Sequence, residues 1–202
     1  MPTSLWQGAS IVSMASLVVG PGAVACGKAG DVDGLARLER GALGAVDRFG
    51  SNAPYWAAGA GHLACVAWLV EVGGLDPSAP ATPPVAGDAP TTRGRTPLHF
   101  AARNGRAAVV RYLCGLPGVD ADARAFRGVS PLQLAVWRNH GAVARALADD
   151  FGADVGQRND VGCGLAHWLA IAPPPRGRSR RRPRRAWASS APQGPGAVCI
   201  CD

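Results

Sequence analysis

Gly94-Arg95-Thr96-Pro97-Leu98-His99-Phe100-Ala101-Ala102 decides how this chain is read, because the stretch returns. Thirty-four residues on stands Gly128-Val129-Ser130-Pro131-Leu132-Gln133-Leu134-Ala135-Val136. A further thirty-four on comes Gly162-Cys163-Gly164-Leu165-Ala166-His167-Trp168-Leu169-Ala170. The register also runs upstream, forty-four residues back, as Gly50-Ser51-Asn52-Ala53-Pro54-Tyr55-Trp56-Ala57-Ala58. Self-similarity at such a period is the signature of one unit copied and stacked.

The second halves of the copies keep step. Val66 and Leu69 correspond to Val110 and Leu113, then to Ala144 and Leu147. A closing acid lies seven residues past the last Leu each time, as Asp76, Asp120 and Asp154. Gly30 to Leu38 supplies one more second half, with Gly30 matching Gly61.

Each unit has a physical logic. The Thr96 or Ser130 hydroxyl suits an N-cap, where it satisfies an otherwise orphaned backbone N–H. Pro97 or Pro131 then occupies the first helical position, where a missing N–H costs little. Leu98, Ala101 and Ala102 form an apolar stripe at helical spacing. Asn104-Gly105 ends that short helix and turns the chain. The spacing predicts a second helix over about Ala107 to Cys114, burying Val109, Val110 and Leu113, and an extended turn from Asp120 to Gly128. Neither helix is long enough to stand alone in water, whereas stacked copies bury one continuous core.

With Gly105 and the Leu113-to-Asp120 ending, Thr96-Pro97-Leu98-His99-Phe100-Ala101-Ala102 resembles the ankyrin repeat. The resemblance runs over roughly residues 22–172 and implies an all-α solenoid. About three full helix–loop–helix repeats are expected, with an N-terminal partial repeat and a C-terminal half. It further implies that motif histidines tie neighbouring loops together through both ring nitrogens. His99 and His167 hold the motif position, while His62 and His140 sit near the turn between paired helices.

The copies depart from the pattern in ways that matter. Asn52 can still cap, but Tyr55 in place of His removes the ring-nitrogen link to the next loop. Ser130 and Gln133 are tolerable substitutes. Gly164 is a poor cap, Leu165 replaces Pro, and Pro173-Pro174-Pro175 cannot continue into another helix. The last helix is therefore expected to fray. The missing cap also fits a piece of a larger multidomain protein.

Charge is unevenly placed. The formal net charge is +7. Residues 1–175 carry 14 basic and 13 acidic side chains, whereas residues 176–202 carry seven Arg and one Asp. The basicity thus belongs to a tail. Its Arg176, Arg178, Arg180, Arg181, Arg182, Arg184 and Arg185 suit an import-receptor signal or a phosphate-binding arm. The alternative is a solvated, disordered tail over 173–202. Residues 77–92 hold a Pro-rich insertion with a Pro80/Pro83 PxxP match, read as an expanded loop or as a partner-domain ligand.

Residues 1–21 are expected to be disordered or a weak leader. Ala23-Val24-Ala25 imitates a signal-cleavage site, but no Lys or Arg precedes it and Gly20-Pro21-Gly22 interrupts the apolar run. No stretch reaches the length of a membrane span. The six cysteines match no zinc spacing, and Cys65 and Cys114 fall in apolar helical patterns. A reducing intracellular setting, cytoplasm or nucleus, is expected.

No constellation for catalysis is legible. Gly-x-Ser-x-Gly is absent from the sequence, and no Gly-x-x-x-x-Gly-Lys is completed by the Ser or Thr of a phosphate-binding loop, since Ala29 follows Gly27-Lys28. Asp149-Asp150 reads as a solvated helix end. No cofactor, metal or small-molecule substrate is expected.

What the resemblance implies instead is protein binding, through loop tips and the exposed face of the first helices. Carried onto this chain, those positions are Arg93, Arg95, Arg103 and Asn104, then Phe126, Arg127, Val129, Trp137 and Arg138. Trp137 among arginines has the composition of an interface hot spot, matching a partner with acidic and apolar surface. In the alternative, Trp137 packs on the neighbouring first helix and the arginines solubilise. Nucleic acid enters only as a ligand of the tail.

Overall fold

The computed structural model describes residues 22–47, 49–81 and 93–173. The expected leader, the arginine tail and most of the insertion lie outside the described residues.

Two-helix units follow one another along the chain. The first pairs α1 (Ala23–Ala29) with α2 (Val32–Ala36), and a short α3 (Arg40–Leu43) lies in the connection that follows. Then come α4 (Ala53–Ala60) with α5 (Leu63–Glu71), α6 (Pro97–Arg103) with α7 (Ala107–Cys114), and α8 (Pro131–Trp137) with α9 (Gly141–Arg145). A π-turn, Ala146–Asp150, extends α9. The last element, α10 (Leu165–Ile171), is a first helix with no second helix among the described residues. First helices pack side by side in the order α1, α4, α6, α8, α10, and second helices in the order α2, α5, α7, α9. The N-terminal unit is more complete than expected. It carries a first helix, although Gly22 offers no side-chain cap.

The caps form as the residues dictate. Thr96 with His99, and Ser130 with Gln133, close capping boxes, and Asn52 Oδ1 accepts from the Tyr55 N–H at 3.0 Å. Leu98, Ala101, Ala102, Val109, Val110 and Leu113 are all buried, as are Val66, Leu69 and Leu147 at the matching positions. Small residues at Ala57, Ala58, Ala101, Ala102 and Ala135 let the first helices lie close together within one core. Gly164 gives α10 no side-chain cap, and Leu169 is left 65 % exposed.

The connections are hairpin-like loops laced to one another. Ala125 N–H donates to the Val129 carbonyl, and Asn159 N–H to that of Cys163. In the second unit Ala81 N–H donates to Arg95, spanning fourteen residues where the sister loops span four. The ten-residue excess in sequence therefore falls between Ala81 and Arg95, two residues joined by their backbones. Neighbouring tips join through Phe126 N–H to the Arg93 carbonyl at 2.9 Å and Asp160 N–H to the Arg127 carbonyl at 3.0 Å. The closing acids Asp76, Asp120 and Asp154 each accept a backbone N–H two residues on, at 2.8 Å, and so start the turns.

Candidate functional site

Two sets of side chains hold consecutive units together. At the motif position, His99 Nδ1 lies 3.2 Å from the Thr96 N–H and 2.9 Å from its hydroxyl, and so accepts. Nε2 must then carry the proton, and it donates to the Val129 carbonyl at 3.1 Å. Burial pushes the His99 pKa down to about 4, keeping the ring neutral. Gln133 reproduces both roles. Its Oε1 accepts from the Ser130 N–H, and its Nε2 donates to the Gln157 and Cys163 carbonyls. Tyr55 restores by other means the link its replacement of His was expected to remove. Its hydroxyl accepts from the Arg95 side chain, while burial raises its pKa. The fourth motif residue, His167, is exposed.

The second set follows the turn glycines. His62 Nε2 lies 3.2 Å from the Lys28 carbonyl, Arg106 Nε donates to Gly59 at 3.1 Å, and His140 Nε2 lies 3.0 Å from the Arg103 carbonyl. Each acceptor stands two residues before a glycine with positive φ: Gly30 at 79°, Gly61 at 93° and Gly105 at 71°. A side chain at those glycines would meet His62, Arg106 and His140 respectively. His62 and His140 thus fasten through one ring nitrogen, and arginine serves equally at the same position.

The outward side of the first helices carries a run of aromatic rings and cations. Lys28 Nζ lies 4.0 Å from the centre of the Trp56 ring, whose Nε1 donates to Asp47 at 2.8 Å. Tyr55 and Phe100 stack with centroids 4.5 Å apart, and Trp56 meets Phe100 edge-on at 5.4 Å. Phe100 can lie flat on α4 because Gly59 beneath it has no side chain; a methyl there would enter the ring. Farther along, Trp137 meets Trp168 edge-on at 6.2 Å. The Arg103 and Arg138 guanidiniums lie 5.9 and 4.3 Å from the Trp137 ring centre.

The expected binding residues divide into three groups. Arg103, Trp137 and Arg138 come together on the first-helix face, with Trp137 half-buried rather than freely exposed. Arg93, Phe126 and Arg127 stand at loop tips, with Arg127 stacked over the Phe126 ring at 5.4 Å. Arg95, Asn104 and Val129 are engaged in joining units: Arg95 with Tyr55, Asn104 Nδ2 with the Gly59 carbonyl at 2.9 Å, and Val129 with His99. Arg176, Arg178, Arg180, Arg181, Arg182, Arg184 and Arg185 lie outside the described residues. The Lys28–Trp56–Phe100 cluster was not anticipated. Its signal was the motif position next to His99, which holds an aromatic ring in three copies, Trp56, Phe100 and Trp168, and Leu134 in the other.

Other candidate chemistry resolves into structure. Asp150 pairs with Arg111 at 3.1 Å, tying the end of the α9 extension to α7. Cys65 and Cys114 are thiols outside any disulfide, and burial pushes Cys114 up to about 11. Among the described residues no group of His, Cys, Asp or Glu is placed to hold a metal ion. No helix among them is long and apolar enough to cross a membrane.

The family described as ankyrin repeats (3 copies) matches residues 23–125 and 82–159. No curated protein matches the chain. Stacked helix pairs, capping boxes and laced loops agree with the family match over most of the chain, and the protein belongs to the ankyrin repeat family.

Proposed function

We propose that the protein is a non-enzymatic scaffold that holds a partner protein against its first-helix face and loop tips. Ankyrin repeats generally serve as protein–protein interaction modules. The observation that carries the reading for this chain is the ring-and-cation run from Lys28 through Trp56 and Phe100 to Arg103, Trp137 and Arg138. Rigid aromatic bodies flanked by guanidiniums on packed helices favour hot-spot binding. A reducing intracellular compartment, cytoplasm or nucleus, is part of the same proposal.

Affinity capture with the intact chain and with a chain lacking residues 176–185 tests it. A directly bound protein partner should survive the deletion and be lost with Arg138→Ala and Trp137→Ala. Capture that needs only the tail, or that ignores both substitutions, would place the binding elsewhere.

A further inference from the structure

We infer that Arg103, Arg138 and Trp137 form a receptor for a single carboxylate side chain, borne by a partner segment with an apolar residue beside it. This rests on the first-helix face being the docking surface.

The cluster is built from three places. Arg103 ends α6, Arg138 follows α8, and Arg95 precedes α6 in the loop. Burial, together with the charges of Arg95 and Arg138, lowers the Arg103 pKa. The ion pairs among the described residues lie elsewhere, at Arg111–Asp150 and Arg124–Asp160. Neither Arg103 nor Arg138 has a carboxylate partner among the described residues. Asp47, which bonds Trp56 Nε1, is also taken by the N–H groups of Phe49 and Ser51.

Helix C-termini favour nearby cations, which explains why arginines are tolerated there. That leaves one fact over. Arg103 Nε is buried with no acceptor among the described residues, as is Nε1 of Trp168, whose ring meets Trp137 edge-on. A buried donor without an acceptor is costly, and a guanidinium edge matches a carboxylate with two parallel hydrogen bonds. A carboxylate entering beside Trp137, with a small turn of the Arg103 side chain, meets that edge and relieves the repulsion among the three guanidiniums. The apolar neighbour packs on the remaining Trp137 and Phe100 edges. A nucleic acid fits less well, because Arg103 and Arg138 already stack on Trp137, where a base would have to lie.

The test uses the full chain and a random twelve-residue peptide library displayed on phage. Recovered sequences are resynthesised and titrated by fluorescence anisotropy, with circular dichroism confirming that each protein variant is folded. The expected peptides carry Asp or Glu next to Leu, Ile or Phe. Replacing that acid by its amide, or Arg103→Gln with Arg138→Gln in the protein, should each weaken binding about tenfold or more. The two losses should not multiply when combined, because they remove one contact.

Uncharged peptides bound to the same face, or losses that simply multiply, would overturn the carboxylate site while leaving the docking face standing. Displacement of the peptide by a single-stranded RNA of similar length would overturn it in favour of a phosphate ligand. If no peptide is recovered, or if recovered peptides ignore Trp56→Ala and Trp137→Ala, the docking face falls and the carboxylate site with it.

Discussion

His99 and Val129 are thirty residues apart in sequence, and the ring Nε2 of one lies 3.1 Å from the carbonyl of the other. Gln133 makes the corresponding bond to Cys163 at 3.4 Å. One chain thus carries two chemical solutions to the same joint, and they differ in one property. Only histidine titrates.

That difference predicts an acid-dependent stability with a defined origin. The folded His99 pKa is about 4, against 6.5 for a free ring. Its contribution is complete above pH 6.5 and is lost as pH falls toward 4, because the unfolded chain takes up a proton the folded chain refuses. His99→Gln should retain most of the stability at pH 7, whereas His99→Ala should cost about 3 kcal/mol by orphaning the Thr96 N–H and the Val129 carbonyl. Urea denaturation at pH 7 and pH 4.5 should show His99→Gln losing about 2 kcal/mol less than wild type on acidification. Parallel losses would remove His99 as the source.

The turn glycines predict a graded pair. At Gly105, φ is 71° and an added Cβ would stand 2.5 Å from His140 Nδ1, in a ring already bonded to the Arg103 carbonyl. At Gly61, φ is 93° and the obstacle is Arg106 Cδ at 2.8 Å, part of a longer and more flexible side chain. Gly61→Ala should cost about 1–2 kcal/mol for the left-handed backbone alone, and Gly105→Ala measurably more. Equal thermal shifts would mean that the His140 ring yields freely.

Position in the stack should set the cost of deleting a leucine. Leu113 is fully buried between units, and Leu169 is 65 % exposed on α10. Leu113→Ala should cost about 2–5 kcal/mol and Leu169→Ala less than about 0.5 kcal/mol, read from denaturation midpoints. A large loss at Leu169 would show that something covers α10.

Arg138 and Trp137 should separate binding from stability. Trp137 packs edge-on against Trp168, so Trp137→Ala is expected to destabilise by about 2 kcal/mol as well as weaken docking. Arg138 is exposed, so Arg138→Ala should change stability by less than about 0.5 kcal/mol. Partner affinity should nevertheless fall. If Arg138→Ala leaves affinity unchanged, Arg138 is not part of the docking face.

What could be read from sequence was what is local. Thr96, Ser130 and Asn52 announce caps because a cap is made within four residues, and the Leu98–Ala102 stripe announces a buried face because helical spacing is local too. What escaped depends on side chains reaching the next unit. Nothing near Arg106 marks it as the equivalent of His62 and His140, since the shared feature is an acceptor forty-seven residues away. Tyr55 reads as a lost histidine until Arg95 is seen beside it. The site fared similarly. Trp137 stands out among its arginines by composition, whereas the bonds that Asn104 and the Val129 carbonyl make to other units are visible only in the fold, and the Phe100 cluster needs Gly59 opposite it.

Hydrogen exchange on the chain, free and bound to a partner recovered by affinity capture, bears most directly on the docking face. Binding should slow exchange over residues 95–104 and 126–138 and leave residues 107–114 and 141–150 unchanged. Protection confined to the second helices, or to residues 176–185, would contradict it.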